Sequence, residues 1–140
     1  MKVLFVAGFG PITSNVKESR RLYRDVLGLP LEEEADDYLH TEKVEGVKGF
    51  GLWPLYQAAE SCFGTREWPA DVVTPQAWLE FDVEDVEEAT AELESAGYRL
   101  LVRNRKEPWG QVVTRMISRM ISPEGFLVGV TETPWMREKK

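Results

Sequence analysis

The stretch SRRLYRDVLGL, residues 19–29, predicts a helix that is stopped by a glycine. Gly28 can adopt the left-handed conformation that ends helices, and Pro30 prevents the helix from continuing. The same outline recurs about 70 residues later, where Gly97 closes a second helical pattern. Two copies of one unit predict paired modules, with a site between them.

Each copy predicts a strand, a helix and a glycine stop. In the first copy, a strand at Val3–Phe9 precedes a helix from about Val16 to Leu27, which Ser14 or Asn15 caps. In the second, a strand at Ala77–Val83 precedes a helix from about Val86 to Ala96, which Asp85 opens. Helical spacing predicts two sets of core-facing residues: Leu22, Tyr23, Val26 and Leu27 in the first helix, and Val86, Ala89 and Leu93 in the second.

The remaining segments complete two modules within a single domain. Shorter strands are predicted at 31–34, 38–44 and 47–53, followed by a short helix at Leu55–Cys62, and then at 99–103, 112–117 and 126–131. Residues 64–75 contain two prolines and no periodicity, so they predict a linker between modules 1–63 and 76–132. The tandem repeat RMISRMIS, Arg115 to Ser122, is either a short duplication that lengthens a strand or a chance pattern.

Composition limits the function classes. The net charge of −7 argues against nucleic-acid binding, which needs Lys and Arg concentrated on one face, but suits a cationic ligand. No segment has the roughly 20 apolar residues of a membrane span. The single Cys62 and the lack of a signal peptide predict a reduced, cytoplasmic protein.

With the repeat laid out, the chain resembles the vicinal oxygen chelate superfamily of glyoxalases, bleomycin-resistance proteins and extradiol dioxygenases. Residues 19–29 are similar to its S-x-x-F-Y-x-x-x-L-G helix, and residues 81–86, FDVEDV, to its F-x-V-x-D strand exit. Residues 96–98, AGY, and 122–126, SPEGF, are similar to its helix stop and its last hairpin. The resemblance implies an α+β fold of two βαβββ modules, whose curved mixed sheets surround a cleft and which often form a homodimer.

The resemblance also implies where a metal would be held, by His and Glu side chains on the first and late strands of each module. Counted from the matched motifs, those positions fall on Gly8, Trp78 and Gly129, with Gly49 near the remaining one. None of these side chains can coordinate a metal. The sequence therefore predicts neither a metal nor another cofactor, although a site built from His40 with Glu42, Glu45 or Glu80 stays open.

Other catalytic constellations are weak in this sequence. His40, the one histidine, is either a cleft residue that bonds a ligand or acts as a base, or a partly exposed strand residue. Cys62 has no base coupled to it by spacing, so a buried, inert thiol is the simpler interpretation.

The chain contains five tryptophans, which is a high number for 140 residues. The resemblance points Trp78 into the cleft, and Trp53 and Trp109 are placed at a strand end and at a loop near the cleft mouth. Aromatic walls stack planar groups and hold cations. The predicted ligand site contains Trp53, Trp78, Trp109, His40, Phe50, Glu80 and Gln111, although Trp53 and Trp78 suit a core equally well.

Three functions follow from these patterns. The first is a metal-free protein that sequesters an aromatic or cationic small molecule, as bleomycin-resistance proteins do, with no catalytic residue. The second is a metal-dependent lyase, isomerase or dioxygenase. The third is a metal-free enzyme that uses His40 or a carboxylate as a general base.

Overall fold

A computed structural model describes residues 1–34, 36–106 and 116–137 of the chain. Within these residues, eight strands form one mixed sheet in the order β2-β3-β4-β1-β5-β8-β7-β6. The strands are β1 (Val3–Thr13), β2 (Glu32–Glu33), β3 (Leu39–Thr41), β4 (Gly49–Pro54), β5 (Ala77–Val83), β6 (Val102–Lys106), β7 (Met116–Ile121) and β8 (Phe126–Thr131). Trp109, Gln111 and residues 112–115 of one predicted strand lie outside the described residues.

The two halves of the sheet repeat each other in topology. β1 pairs with β4 in parallel, and β5 pairs with β8 in parallel. The halves meet where β1 and β5 run antiparallel, with Phe9 opposite Leu79. This mixed α+β architecture confirms the predicted fold class, whereas the module boundaries at 63 and 76 stay a prediction.

Alternation along the strands gives the sheet two faces. The inner face carries Gly8, Gly51, Trp78 and Glu80, and it packs against helix α2 (Leu55–Phe63). The outer face carries the alternate residues, including Leu52 and Val83. It holds separate apolar clusters on the two halves: Leu31, Leu39 and Leu52 on the first, and Val83, Val86, Ala89, Leu93 and Val130 on the second.

The first helix differs from its prediction. It starts as α1 (Val16–Arg20), capped by the Asn15 side chain, and continues as a π-helix over Arg21–Val26. Of the predicted core face, Tyr23 alone packs against the sheet, while the other three apolar side chains, Leu22, Val26 and Leu27, are 44–64% exposed. Arg21–Val26 therefore differs from the predicted α-helix in its wider hydrogen-bonded turn and in leaving these three side chains off the core.

The second long helix, α3 (Val86–Ser95), matches its prediction closely. The Asp85 side chain accepts the Glu88 N–H at 3.1 Å, and Val86, Ala89 and Leu93 are buried. Gly97 follows with a positive φ of 91°, as a helix stop requires. The strand after it starts three residues later than predicted, since the Tyr98 N–H still bonds Leu93. No helix in the described part of the chain is long and apolar enough to cross a bilayer.

Candidate functional site

The centre of the inner face is built where β1, β4, β5 and β8 lie side by side. Gly8 on β1 lies beside Gly49 on β4 and opposite Glu80 on β5. Glu80 lies beside Gly129 on β8. Trp78, two residues before Glu80, is opposite Gly10 and points to the same face. The strand register therefore gathers four glycines, one carboxylate and one indole.

The glycines leave room for large neighbouring side chains. A methyl group at Gly8 would lie 2.4 Å from the Trp78 ring, and one at Gly129 would lie 3.0 Å from Glu80 Cγ. At Gly49 the nearest atom would be His40 Nε2, at 3.1 Å. Heavy atoms cannot approach that closely without displacement. The space above these three glycines is thus occupied by the side chains of Trp78, Glu80 and His40.

A buried guanidinium completes this centre. The side chain of Arg119, on β7, is 1% exposed, and its Nη2 lies 3.3 Å from Glu80 Oε2. Nη1 of the same group donates to Ser61 Oγ on α2. Its Cζ lies 4.9 Å from the centre of the Trp53 ring, within the range of a cation–π contact. A carboxylate, a hydroxyl and an aromatic face therefore surround one positive charge.

Two further side chains border the centre on β3 and just before it. The rings of Tyr38 and His40 lie 5.7 Å apart with a 31° tilt. Burial raises the pKa of the Tyr38 phenol well above its usual value, and the nearby Glu80 charge raises it further. Tyr38 is therefore a neutral donor at physiological pH. His40 Nδ1 lies 3.5 Å from Glu34 Oε1, so a carboxylate adjoins the imidazole.

The structure brings together several of the predicted site residues. The Trp53 and Trp78 rings meet edge to face with centroids 6.4 Å apart, and Trp78 Nε1 donates to Gly51 O at 3.1 Å. Each of these two residues is 7% exposed, so both belong to the apolar cluster of the inner face. Glu80 and His40 keep 15% and 14% of their side-chain surface accessible.

Phe50 is not part of this arrangement. Its ring lies on the outer face, 6.1 Å from the ring of Tyr23, and packs with the Leu31, Leu39 and Leu52 cluster. The reason is strand alternation, because Gly49 and Gly51 point inward on β4 and the residue between them points outward. Trp109 and Gln111 lie outside the described residues.

Sequence reasoning missed Arg119, Ser61 and Tyr38. A signal for Arg119 existed in the RMISRMIS repeat, where alternation puts this arginine on the same strand face as Ile121. A charge on an apolar strand face predicts a buried partner. Ser61 carried no such signal, because its role depends on how α2 packs against the sheet. Cys62, beside it, is buried and fits the inert interpretation.

The residues at the implied metal positions do not fit a metal. Gly8, Gly49 and Gly129 have no side-chain donor, and Trp78 uses its only N–H on a backbone carbonyl. Among the described residues, no group of three or more His, Cys, Asp and Glu side chains converges as a metal site requires. The one carboxylate at the centre, Glu80, is paired with the Arg119 guanidinium.

Comparisons with known proteins agree with the fold. Residues 9–130 match the family of the glyoxalase, bleomycin-resistance protein and dioxygenase superfamily, so the chain belongs to this superfamily. No curated protein matches the sequence significantly.

Three solved structures illustrate the likeness. A superfamily member from Vibrio splendidus 12B01 is 14% identical with a TM-score of 0.58, and the match covers 91% of this chain and 97% of that chain. The NAD-dependent benzaldehyde dehydrogenase from Legionella pneumophila is 12% identical with a TM-score of 0.57 over 89% and 96% of the two chains. A variant of homoprotocatechuate 2,3-dioxygenase from Brevibacterium fuscum is 20% identical with a TM-score of 0.62 over 94% of this chain and 33% of that one. At these identities the likeness shows the fold alone.

Proposed function

We propose that this protein binds an aromatic small molecule on the inner face of its sheet, without a metal ion and without bond chemistry. The observation that carries the proposal is the Arg119 guanidinium, which pairs with Glu80 at the centre of the face. A metal ion or a cationic ligand would need a carboxylate to balance its charge. Here the Arg119 guanidinium, a cation of the chain itself, already pairs with that carboxylate. Of the two ligand classes that the sequence predicts, the aromatic one is therefore favoured.

Access to the face supports a contact role for two of the predicted residues. His40 and Glu80 are partly accessible there, as is Tyr38, whose ring lies 5.7 Å from the His40 ring. Glu80 can accept a hydrogen bond from the ligand, and the neutral Tyr38 hydroxyl can donate one. Trp53 and Trp78 then act as the wall behind these groups. Trp109 and Gln111 remain predicted contacts.

A tryptophan-fluorescence screen with planar aromatic compounds tests the proposal, because two indoles lie at the site. Each compound that binds is titrated again with EDTA present. We expect unchanged affinity with EDTA, and weaker binding by the His40→Ala and Glu80→Gln variants. Glu84→Gln is the matched control, since the Glu84 side chain is 65% exposed.

Elemental analysis of protein purified without chelator tests the alternative. A stoichiometric divalent metal that is lost in His40→Ala and Glu80→Gln would favour a metal-dependent lyase, isomerase or dioxygenase instead. Turnover of a bound compound that His40→Ala abolishes, with binding retained, would favour general-base catalysis. A cytoplasmic location and a homodimer are part of the proposal, and size-exclusion chromatography with light scattering tests the dimer.

A further inference from the structure

A cavity lies near the start of β1, away from the centre of the inner face. Its volume is about 630 Å³, within the range of small-ligand pockets. It is lined by Phe5, Lys48, Trp135 and Met136, and by the charged residues of segment 42–45. Met136 lies between this cavity and the inner face, because its Cε would be 3.3 Å from a methyl group at Gly49.

Trp135 is presented to solvent on a firmly anchored turn. Trp135 is 41% exposed and lies in the 3₁₀ turn Pro134–Met136. The Thr133 N–H donates to Asp82 at 2.6 Å, and Arg137 Nε donates to the same carboxylate at 2.9 Å. Asp82 is 0% exposed, so both ends of the turn are bound to one buried charge. An exposed indole held in this way is a preorganised stacking surface.

Two lysines and two glutamates line the cavity, and they differ in how far they are exposed to water. Lys48 is the partly buried one of the four charged lining residues, whereas Glu42, Lys43 and Glu45 are exposed. Its Nζ lies 5.4 Å from the centre of the Phe5 ring. Because water screens exposed charges more than partly buried ones, this ammonium dominates the field at the ring surface. Lys43 is directed elsewhere, with its Nζ 4.0 Å from Glu32 Oε1.

We infer that this cavity is a binding site for a planar aromatic anion, whose ring stacks on Trp135 and whose carboxylate or sulfonate pairs with Lys48. The inference does not depend on the proposed function of the inner face. Phe5 supplies an apolar wall, and Lys48 supplies the charge that selects an anion over a neutral analogue.

Isothermal titration calorimetry with three naphthalene probes tests the inference: naphthoate, naphthamide and naphthylmethylammonium, which carry the same rings and differ in charge. We expect naphthoate to bind most tightly. Trp135→Ala is expected to weaken naphthoate binding about 5- to 10-fold, and Trp135→Phe to preserve most of the affinity, since the ring contact is retained. Lys48→Met should weaken naphthoate about 5-fold and leave naphthamide unchanged.

Tyr98→Ala is the matched control, because Tyr98 is 48% exposed and does not line the cavity. The inference is overturned if this variant weakens naphthoate as much as Trp135→Ala does, if the three probes bind equally, or if the cationic probe binds best. It is also overturned if Glu80→Gln abolishes naphthoate binding while Trp135→Ala does not. That last result would place the ligand on the inner face and support the proposed function alone.

Discussion

Removing the Arg119 guanidinium should destabilise the fold strongly, because this charged strand residue is buried. The side chain is 1% exposed and its charge is balanced by Glu80 at 3.3 Å. In Arg119→Met the apolar stem is kept, but Glu80 loses its ion pair with Arg119, and breaking a buried ion pair on one side costs about 3–5 kcal/mol. Because Glu80 keeps 15% of its surface in contact with water, we expect a loss of about 3 kcal/mol.

The contact with Trp53 adds to this loss. A guanidinium 4.9 Å from a ring centre and shielded from water contributes about 1–2 kcal/mol. Met restores part of it, since a thioether also packs well against an indole. The expected loss in the free energy of unfolding therefore stays near about 3–4 kcal/mol.

Urea unfolding followed by tryptophan fluorescence measures the effect. A double-mutant cycle with Glu80→Gln separates the pair from the rest, and we expect the double variant to lose about 1–3 kcal/mol less than the sum of the single losses. Arg103→Met is the matched control: Arg103 Nε lies 2.6 Å from Glu94 Oε2, but the two side chains are 55% and 41% exposed. That exposed pair should contribute about 0–1 kcal/mol.

Two results would refute the reasoning. One is a loss for Arg119→Met that is no larger than the loss for Arg103→Met. The other is strict additivity of Arg119→Met and Glu80→Gln, which would mean that the two groups do not interact in solution.

Three further variants test the surroundings of the two sites. Gly8→Ala should lower the free energy of unfolding by about 1–3 kcal/mol, because the new methyl group would lie 2.4 Å from the Trp78 ring. Combining it with Trp78→Phe should recover part of that loss in the same urea assay. Tyr38 has a raised pKa in the folded state, so the unfolded chain releases the phenol proton first, and the free energy of unfolding should fall as pH rises above the usual tyrosine pKa. Tyr38→Phe should flatten that fall. An unchanged pH profile would contradict the raised pKa of Tyr38. Asp82→Asn removes the charge that holds Arg137 and should expose the C-terminal turn to limited proteolysis, whereas cleavage at the wild-type rate would show that the turn is held by other contacts.

The sequence predicted most elements because local signals were strong. β5 and β8 have the bounds that the pattern predicts, and α3 matches within one residue. Both helix caps, Asn15 and Asp85, could be predicted, because their side chains can accept hydrogen bonds from the N–H groups of the first turn. The exposed face of the first helix was not readable, since a π turn leaves no clear local pattern.

The candidate site was only partly readable. Glu80, His40 and the two inward tryptophans lie together on one face, whereas their role in binding a ligand stays a prediction. Phe50 lies on the other face from Trp53, because the two residues are three apart on β4 and side chains alternate along a strand. Arg119 was not predicted to pair with Glu80, because the two residues are 39 positions apart in sequence and meet only in the folded sheet.

Residue type and short-range spacing are enough to predict the repeated unit, the class of fold and the lack of metal-binding side chains at the implied positions. What fills the centre of the sheet follows from tertiary packing instead. Strand register brings Glu80 beside Gly129, and the packing of α2 brings Ser61 to the same guanidinium. Contacts between residues far apart in the chain depend on how whole elements pack, and no local pattern of apolar and polar residues records that.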